Sequence, residues 1–453
     1  MTRKKEFRVL SPTAILGYGF PEESFNRGLE LMPDLIAVDA GSVDPGPYYL
    51  GAGKSFTDRA GVKRDLRFML KAACRLDIPL VIGSAGGSGA RPHVEWCREI
   101  IEEIAVEESL HFKMGIIYAD ISKEIVTEAL HENWIEAIHG VPELTVETIE
   151  KAECIVAQMG VEPIQDALKT GCQVVLAGRA YDPSVFAALP IMMGFAPGLA
   201  LHMGKILECA AIAATPGSGS DSVMGIVRED HFELVPLNPI RKFTKESTAA
   251  HTLYEKSDPY HLPGPGGMLN LKDVRFEEYP DGRVRIYGSQ FEPSVQNMVK
   301  LEGAEKIGFR TISIAGVRDP IMINQIDSII ETIQTNTMQT LKSEKIEASL
   351  HFHIYGKNGI MGGLEPEKDA PTHELCIVIE AVAPEQKSAD SACSIARSTM
   401  LHYGYPNRIA TAGNLAFPFS PSDIKAGEVY VFSIYHLMRI GDEPLFKSEI
   451  IEL

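Results

Sequence analysis

Residues that could perform proton transfer are concentrated between Leu35 and Arg59. A short apolar run from Leu35 to Val38 has the length and bulk of a buried strand, and Asp39 follows it directly. Ligands of open α/β sheets bind beyond the carboxyl ends of the strands, so the following loop is predicted to be an active-site loop. Its ionisable and hydroxyl side chains are Ser42, Asp44, Lys54, Ser55, Asp58 and Arg59.

The residue types in this loop suit the removal of a proton beside a carboxylate group. Such a reaction needs a base, a group that stabilises enolate-like charge, and an acid for the departing hydroxyl. We predict that the catalytic residues are Asp39, Lys54, Asp58 and Arg179. A divalent metal ion held by Asp39, Asp44 or Asp58 is a variant of this scheme, because hard cations prefer carboxylate oxygen.

Further segments are predicted to place polar groups at the carboxyl ends of strands. The strand from Pro79 to Ile82 opens into the glycine loop GSAGGSG, whose amides before a helix could hold a carboxylate or phosphate. Two later strands end at Asp120 and at Ala177. Right-handed crossovers bring parallel strand ends to one edge, so we expect a shared cleft. The residues expected to bind substrate there are Ser42, Asp44, Ser55, Gly83, Ser84, Gly86, Gly87, Asp120 and Asp182.

Neither glycine loop has the spacing of a nucleotide-binding motif. The segment GAGKS resembles the end of a P-loop, but Tyr48 occupies the position where that motif requires its first glycine. The segment GSAGGSG lacks the three-glycine spacing of a dinucleotide fingerprint. We therefore expect neither ATP nor NAD to bind tightly. An ordinary structural turn with a solvated Lys54 is the alternative interpretation of the first loop.

The segment from Leu199 to Ala214, LALHMGKILECAAIAA, has a helical pattern with polar members. His202, Glu208 and Cys209 could act as ligands or as acid/base groups. A single histidine and a single cysteine on an apolar helix are more often packed in the core. The Gly-Ser-rich segment TPGSGSDS that follows is predicted to be a linker or a cleft loop.

Composition excludes several classes of protein. The 453 residues include 43 basic and 61 acidic side chains, and the formal net charge of -18 opposes binding to nucleic acid or to an anionic membrane. No run of about 18 apolar residues occurs, so we expect no membrane span and a cytoplasmic location. The seven cysteines are scattered singly, which indicates neither a disulfide scaffold nor a zinc ribbon.

Alternation of strands and helices predicts an α/β fold with two domains. The first, residues 1–220, is predicted to be a doubly wound, mostly parallel sheet with helices on both faces. The second, residues 221–453, is predicted to be an α+β domain that closes the cleft, with a hairpin at Asp281-Gly282. In its segment YGKNGIMGGLEP, Lys357 and Asn358 are expected either to clamp substrate or to form an exposed turn.

Three segments carry a resemblance to a known family. They are DAGSVDPGPYYLGAG, VEPIQDALKTGCQVVLAGRAYDPSVF and HMGKILECAA, and YGKNGIMGGLEP extends the match. With these segments the chain resembles the acyclic terpene utilisation (AtuA) family of bacterial proteins. The resemblance implies a carboxylate or acyl-CoA substrate and a small companion subunit.

Together these observations favour an enzyme of carboxylic-acid catabolism. We predict a lyase that adds or removes water, assembled as a homo-oligomer and acting on a small carboxylate or acyl-CoA. One alternative is an acyl or CoA transferase or hydrolase with Cys209 or Ser42 as nucleophile, although no G-x-S-x-G elbow is present. Another is a noncatalytic subunit that binds a ligand within a larger complex.

Overall fold

The computed structural model describes residues 4–254, 258–441 and 443–453. The chain forms two compact units, Met1–Glu305 with Phe432–Leu453, and Lys306–Val431. This division differs from the boundary expected at residue 220, because residues 221–305 contribute strands to the sheets of the first unit.

Short apolar runs and amphipathic segments give rise to the regular elements. The described strands are β1 (Phe7–Ser11), β2 (Leu35–Asp39), β3 (Leu80–Gly83), β4 (Lys113–Ile117), β5 (Ile135–Ala137), β6 (Ala152–Ala157), β7 (Val174–Ala177), β8 (Val223–Val227), β9 (His231–Pro236), β10 (His261–Gly264), β11 (Gly267–Asn270), β12 (Arg275–Glu278), β13 (Val284–Tyr287), β14 (Gln290–Pro293), β15 (Met298–Val317), β16 (Ser349–Tyr355), β17 (Leu375–Ala383), β18 (Asp423–Arg439) and β19 (Ser448–Glu452). The described α-helices are α1 (Glu22–Glu30), α2 (Pro47–Ala52), α3 (Arg59–Leu76), α4 (Arg91–Glu108), α5 (Lys123–His131), α6 (Val146–Lys151), α7 (Val161–Lys169), α8 (Asp182–Met192), α9 (Pro197–Leu207), α10 (Lys245–Leu253), α11 (Pro320–Asn324), α12 (Ile326–Ser343) and α13 (Gln386–His402).

The first unit is organised by a ten-stranded mixed sheet in the order β12-β13-β9-β8-β1-β2-β3-β7-β4-β19. The five neighbours β1, β2, β3, β7 and β4 are parallel, and antiparallel strands extend the sheet at both edges. The predicted α/β fold is thus confirmed, and the antiparallel flanks add to the mostly parallel sheet that the sequence indicated.

Both faces of the parallel strands are covered by helices, which explains why these strands are apolar throughout. In β2, Leu35 and Ala37 face a core that includes residues of α7, α8 and α9. Their neighbours Ile36 and Val38 face a second core, built with α1, α3 and α4. A strand with two buried faces has no solvent-exposed side on which polar residues would alternate.

Local sequence sets where the helix after the first loop begins. Asp58 is the N-cap of α3, and its Oδ2 atom accepts hydrogen bonds from the amides of Ala60 at 2.9 Å and Gly61 at 3.1 Å. Along the helix, Leu66, Met69 and other apolar residues recur at helical spacing and are buried. The helix therefore packs against the sheet with one face.

Smaller sheets complete the first unit. Strands β10, β11 and β14 form a three-stranded antiparallel sheet. Strand β6 pairs with residues 301–305 of β15, and β5 pairs with residues 436–438 of β18. None of the helices within the described ranges is both long and apolar enough to cross a bilayer. The seven cysteines, all within those ranges, are free thiols.

The second unit combines antiparallel strands with helices. Residues 309–317 of β15 pair with β17, which pairs in turn with β16. Helices α12 and α13 supply residues such as Ile333 and Cys393 to its core. Helices α11 and α12 are separated at Gln325, which ends the first and begins the second.

Candidate functional site

A cavity of about 910 Å³ lies in the first unit, beside the ends of β2 and β7. Its described lining residues all belong to that unit. This volume falls in the range of small-molecule sites. The charged side chains of the lining are Asp39, Asp44, Arg179, Asp182, Lys205, Glu208, Glu292 and Lys300.

Asp39 is the last residue of β2 and is only 5% exposed. Its backbone carbonyl accepts a hydrogen bond from the amide of Leu16 at 3.0 Å, and its Oδ2 atom accepts one from Gly41 at 3.3 Å. Its Oδ1 atom is buried without a hydrogen-bond partner among the described residues. The nearby Ser84 hydroxyl accepts a hydrogen bond from Arg179 Nη1 at 3.1 Å, which leaves its own proton available, and Ser84 lowers the pKa of Asp39. Asp39 therefore lines the cavity with one carboxylate oxygen that has no geometric hydrogen bond to the described residues.

The electrostatic surroundings of Asp39 favour its protonated form. Burial raises the pKa of Asp39 well above its usual value, and the neighbouring carboxylates of Asp182 and Glu208 add to the increase. Arg179 opposes this change in pKa without cancelling it. A carboxyl group whose pKa is raised in this way is suited to act as an acid/base group.

Arg179 lies just beyond β7, and its guanidinium group donates several hydrogen bonds to neighbouring residues. Its Nε atom donates to Glu302 Oε2 at 2.7 Å, and its Nη1 atom donates to Asp182 Oδ1 at 2.9 Å and to the carbonyl of Ala180 at 2.9 Å. Burial alone would lower the pKa of Arg179, but Glu302 and Asp182 raise it above its usual value. With its donors engaged, Arg179 organises the carboxylates around the cavity.

A second buried ion pair comes from the end of α9. Lys205 Nζ lies 2.7 Å from Glu208 Oε1, and both residues are buried. The ammonium group also sits 4.4 Å from the centre of the Tyr254 ring. Burial lowers the pKa of Lys205, whereas Glu208 raises it, and the net result is a raised pKa. Lys205 is therefore a cation within the cavity wall.

Strand β15 contributes a third charged group. Lys300 Nζ lies 2.8 Å from Glu302 Oε1 and donates to the Tyr435 hydroxyl at 2.9 Å. Residues 300 and 302 are two apart on a strand, so their side chains lie on the same face. Glu302 therefore joins Lys300 to Arg179 in one charge network. The rest of the wall combines aromatic and apolar side chains, including Ile15, Tyr18, Ile138, Tyr181, Ile212, Met268, Met298 and Leu437.

Of the four predicted catalytic residues, the structure brings together Asp39 and Arg179. Lys54 and Asp58 are not among the described residues that line the cavity. Lys54 is exposed, and its carbonyl lies 3.1 Å from Nε2 of His93. Asp58 is the N-cap of α3, so its carboxylate is engaged with helix amides. The convergence expected for all four residues is therefore wrong for Lys54 and Asp58.

Of the other polar residues predicted in the first loop, two line the cavity and one does not. Ser42 and Asp44 line the cavity, where the Ser42 hydroxyl donates to Asp44 Oδ2 at 2.7 Å. Ser55 forms a local turn in which its hydroxyl accepts a hydrogen bond from the Thr57 amide at 3.2 Å. Ser55 is not part of the described cavity wall.

The glycine loop after β3, whose amides the sequence predicts to bind an anion, packs closely against its neighbours. The amides of Ser84 and Ala85 donate to the carbonyls of Gly178 and Ala177, both at 3.0 Å. The positive φ of Gly86 and Gly87 and their closeness to His93 and Phe56 leave no room for side chains. Gly83 packs against Val185. The loop is buried throughout, and Ser84 contributes by its hydroxyl contact with Arg179.

The remaining predicted residues occupy separate positions. Asp182, the first residue of α8, lines the cavity as a partner of Arg179. Asp120 lies outside the described wall, and its Oδ1 atom accepts a hydrogen bond from the amide of Arg91 at 3.0 Å, at the start of α4. In the second unit, Lys357 pairs with Asp327. The backbone amides of Lys357 and Asn358 donate to the carbonyl of Ile354 at 3.2 and 3.1 Å, so Lys357 and Asn358 belong to a hydrogen-bonded turn.

The polar residues of α9 and the segment after it also differ from one another. His202 is fully buried between the hydroxyls of Ser289 and Thr252, at 2.7 and 3.1 Å, and burial lowers its pKa to about 3. Cys209 lines the cavity, but burial raises its pKa to about 12. The packed-core interpretation thus holds for His202.

Sequence reasoning did not assign Lys205, Lys300, Glu302 or Tyr435 to the site. One signal was present, since a lysine and a glutamate three residues apart interrupt an otherwise apolar helix around Lys205. Within the described ranges, no group of three or more His, Cys, Asp or Glu side chains is arranged to hold a metal ion.

Comparison with known proteins gives one family. The model of the family described as "Acyclic terpene utilisation family protein AtuA" matches residues 60–221 and 242–415. Neither curated proteins nor solved structures give a match.

Proposed function

Because the chain belongs to the acyclic terpene utilisation family AtuA, we propose that it is a catabolic lyase whose active site is the cavity of the first unit. The proposed reaction adds water to, or removes water from, the double bond of a small carboxylate or its acyl-CoA thioester. Asp39 is the proposed acid/base group of this reaction.

The observation that supports this proposal is the state of Asp39. Its Oδ1 atom is buried at the cavity without a described partner, and its pKa is raised by burial and by neighbouring carboxylates. A carboxyl group that is purely structural normally has its oxygens satisfied when buried. A buried carboxyl group at a cavity, with one oxygen that has no described hydrogen-bond partner and a raised pKa, is suited to proton transfer.

The charges around Asp39 favour its protonated form in the absence of substrate. The cations Arg179 and Lys205 are each paired with carboxylates, and Lys300 is paired with Glu302. Ionisation of Asp39 would add an uncompensated negative charge to this network. In the proposed dehydration, protonated Asp39 gives its proton to the departing hydroxyl, which leaves as water, while the carbon beside the carboxyl group loses its proton to solvent and the double bond forms. In hydration, ionised Asp39 takes a proton from water, the resulting hydroxide adds to the far carbon of the double bond, and solvent supplies a proton to the carbon beside the carboxyl group.

Arg179 is proposed to be a positioning residue in this scheme. Its hydrogen bonds hold Asp182 and Glu302, and its positive charge limits the rise in the pKa of Asp39. Arg179 therefore favours the ionised form of Asp39 against the effect of burial.

Neither candidate nucleophile is supported by its surroundings. Cys209 has a pKa raised to about 12 by burial, which suppresses the thiolate that a transferase or hydrolase would need. The Ser42 hydroxyl donates to Asp44, and no described histidine lines the cavity to act as its base. A lyase should turn over its substrate, whereas a noncatalytic subunit should bind the ligand without converting it.

Turnover can be measured with geranate, an unsaturated acyclic terpene acid, and with geranoyl-CoA. Incubation in D2O should give a hydrated product carrying deuterium at the carbon beside the carboxyl group, detected by NMR. Asp39→Asn should lower this rate by about 10²–10⁴-fold, as expected for loss of an acid/base group. Asp166→Asn, which changes an exposed carboxylate outside the described cavity wall, is the matched control and should keep the parental rate.

The lyase proposal fails if neither compound is hydrated or exchanged. It also fails if Asp39→Asn turns over at the parental rate. Tight binding of geranate without turnover would favour the noncatalytic subunit.

A further inference from the structure

The cations of the described cavity wall differ in how accessible they are. The side chains of Arg179 and Lys205 are 3% and 6% exposed, whereas that of Lys300 is 22% exposed. Arg179 has two carboxylate partners and Lys205 has Glu208. Lys300 is therefore the cation best placed to meet a ligand that enters the cavity.

The hydrogen bonds of Lys300 leave donor capacity for such a ligand. An ammonium group has three N–H donors. Described partners take two of them, Glu302 Oε1 at 2.8 Å and the Tyr435 hydroxyl at 2.9 Å. Because the Tyr435 oxygen accepts from Lys300, its own proton remains available for donation. The two side chains together offer two donors to one anionic group.

The position of Lys300 is fixed by the strand and by its neighbours. Its carbonyl accepts a hydrogen bond from the amide of Gln158 at 2.9 Å, and its ammonium lies 4.4 Å from the centre of the Tyr435 ring. Glu302 beneath it is fully buried and is also held by Arg179. A donor group restrained in this way loses little freedom when it binds a ligand.

We propose that Lys300 Nζ and the Tyr435 hydroxyl form a binding subsite for the carboxylate of a free organic acid. The apolar part of the acid then lies along the aliphatic wall, which includes Met298 and Leu437. This inference deepens the proposed function, on which it rests for the reaction, and it assigns a binding role to residues that carry no proton in that reaction.

The same geometry selects against a coenzyme A thioester. Thioester formation converts the carboxylate into a neutral group, which removes the charge that Lys300 would bind. The phosphates of coenzyme A also require cations, but the exposed charged residues of the described wall are the acids Asp44 and Glu292. The subsite therefore favours the free acid over its thioester.

Binding of three probes tests the subsite by isothermal titration calorimetry. Geranate carries a carboxylate, geraniol carries a neutral hydroxyl on the same carbon skeleton, and geranoyl-CoA carries the thioester. The parent protein should bind geranate more tightly than geranoyl-CoA. Lys300→Met should weaken geranate binding on the order of tenfold to a hundredfold, the loss typical of a charged hydrogen bond, and should leave geraniol binding unchanged.

Matched variants separate charge recognition from loss of structure. Lys300→Arg should restore most of the affinity for geranate, because it keeps a cation at this position. Lys54→Met, which removes an exposed lysine outside the described wall, should bind all three probes as the parent does. Tyr435→Phe should weaken geranate binding less than Lys300→Met.

Three outcomes would overturn the subsite. They are absence of geranate binding to the parent, geranate affinity of Lys300→Met equal to that of the parent, and an equal loss of geraniol and geranate affinity in that variant. Binding is measured without turnover, so the two proposals can fail separately. Geranate binding that depends on Lys300 without any hydration would support the subsite and reject the lyase.

Discussion

Arg179 and Glu302 form a buried ion pair with two points of contact. Nε of Arg179 lies 2.7 Å from Oε2 of Glu302, and Nη2 lies 3.3 Å from Oε1. Burial would raise the pKa of Glu302, but Arg179 and Lys300 lower it below its usual value. The pair joins the end of β7 to β15. It therefore holds Arg179, a charged neighbour of Asp39, in the wall of the cavity.

Removal of Glu302 should destabilise the protein strongly. Glu302→Ala leaves the buried Arg179 with one carboxylate partner fewer, and breaking a buried pair typically costs about 3–5 kcal/mol. The free energy of unfolding can be measured by urea denaturation. Glu147→Ala breaks the exposed pair with Lys151 and should leave this free energy nearly unchanged. A loss in Glu302→Ala no larger than in that control would contradict the prediction.

Asp39 should make the stability of the protein decrease as pH rises. Its raised pKa means that the folded state keeps a proton that the unfolded state releases above an ordinary aspartate pKa of about 3.9. Stability is therefore lost between that pH and the raised pKa of the folded state, with a slope of up to about 1.4 kcal/mol per pH unit. Asp39→Asn removes this titration.

Urea denaturation of the parent and Asp39→Asn over a series of pH values measures the effect. The variant should gain stability relative to the parent as pH increases through this window. Because Glu302 and the other acids remain in both proteins, their contributions cancel in the difference to a first approximation. Parallel curves would show that Asp39 titrates normally in the folded protein.

Asp58 should contribute to stability through the start of α3. Asp58→Ala removes the acceptor for the amides of Ala60 and Gly61, and loss of such an N-cap costs about 0.5–2 kcal/mol. Geranate affinity should not change, because Asp58 lies outside the described cavity wall. Thermal unfolding and calorimetry measure the two quantities. Loss of ligand affinity with parental stability would restore the functional role predicted from the sequence.

Gly89 should not tolerate a side chain. It has a φ of +68°, and a Cβ atom there would lie 2.1 Å from the amide nitrogen of Arg179. Gly89→Ala should therefore cost more than the roughly 1–3 kcal/mol of a strained backbone conformation alone. Gly171 also has a positive φ, of +84°, but no described atom lies within 4 Å of its Cβ position.

The variant Gly171→Ala thus measures the cost of positive φ without the steric clash. Urea denaturation of both variants gives the comparison. Equal losses of stability would mean that the Gly89 loop can move away from Arg179. A larger loss in Gly89→Ala would show that this contact is rigid.

Local sequence was sufficient for the elements and for part of the site. Short apolar runs bounded by polar loops predicted β2, β3 and β7, because strands buried on both faces need apolar residues at every position. Asp39 was found because it ends such a strand, and Arg179 because it follows one. Glycine-rich composition, in contrast, did not reveal whether amides face a ligand or the carbonyls of a neighbouring strand.

The sequence by itself determined the α/β fold, the strands β2, β3 and β7, and the placement of Asp39 and Arg179 at strand ends. Only the tertiary structure decided that Asp58 caps a helix and that Lys300 and Glu302 join Arg179 at the cavity. Glu302 is 123 residues from Arg179 in the chain. A buried charge is stable only when distant segments bring it an opposite charge, and that compensation leaves no pattern in the local sequence.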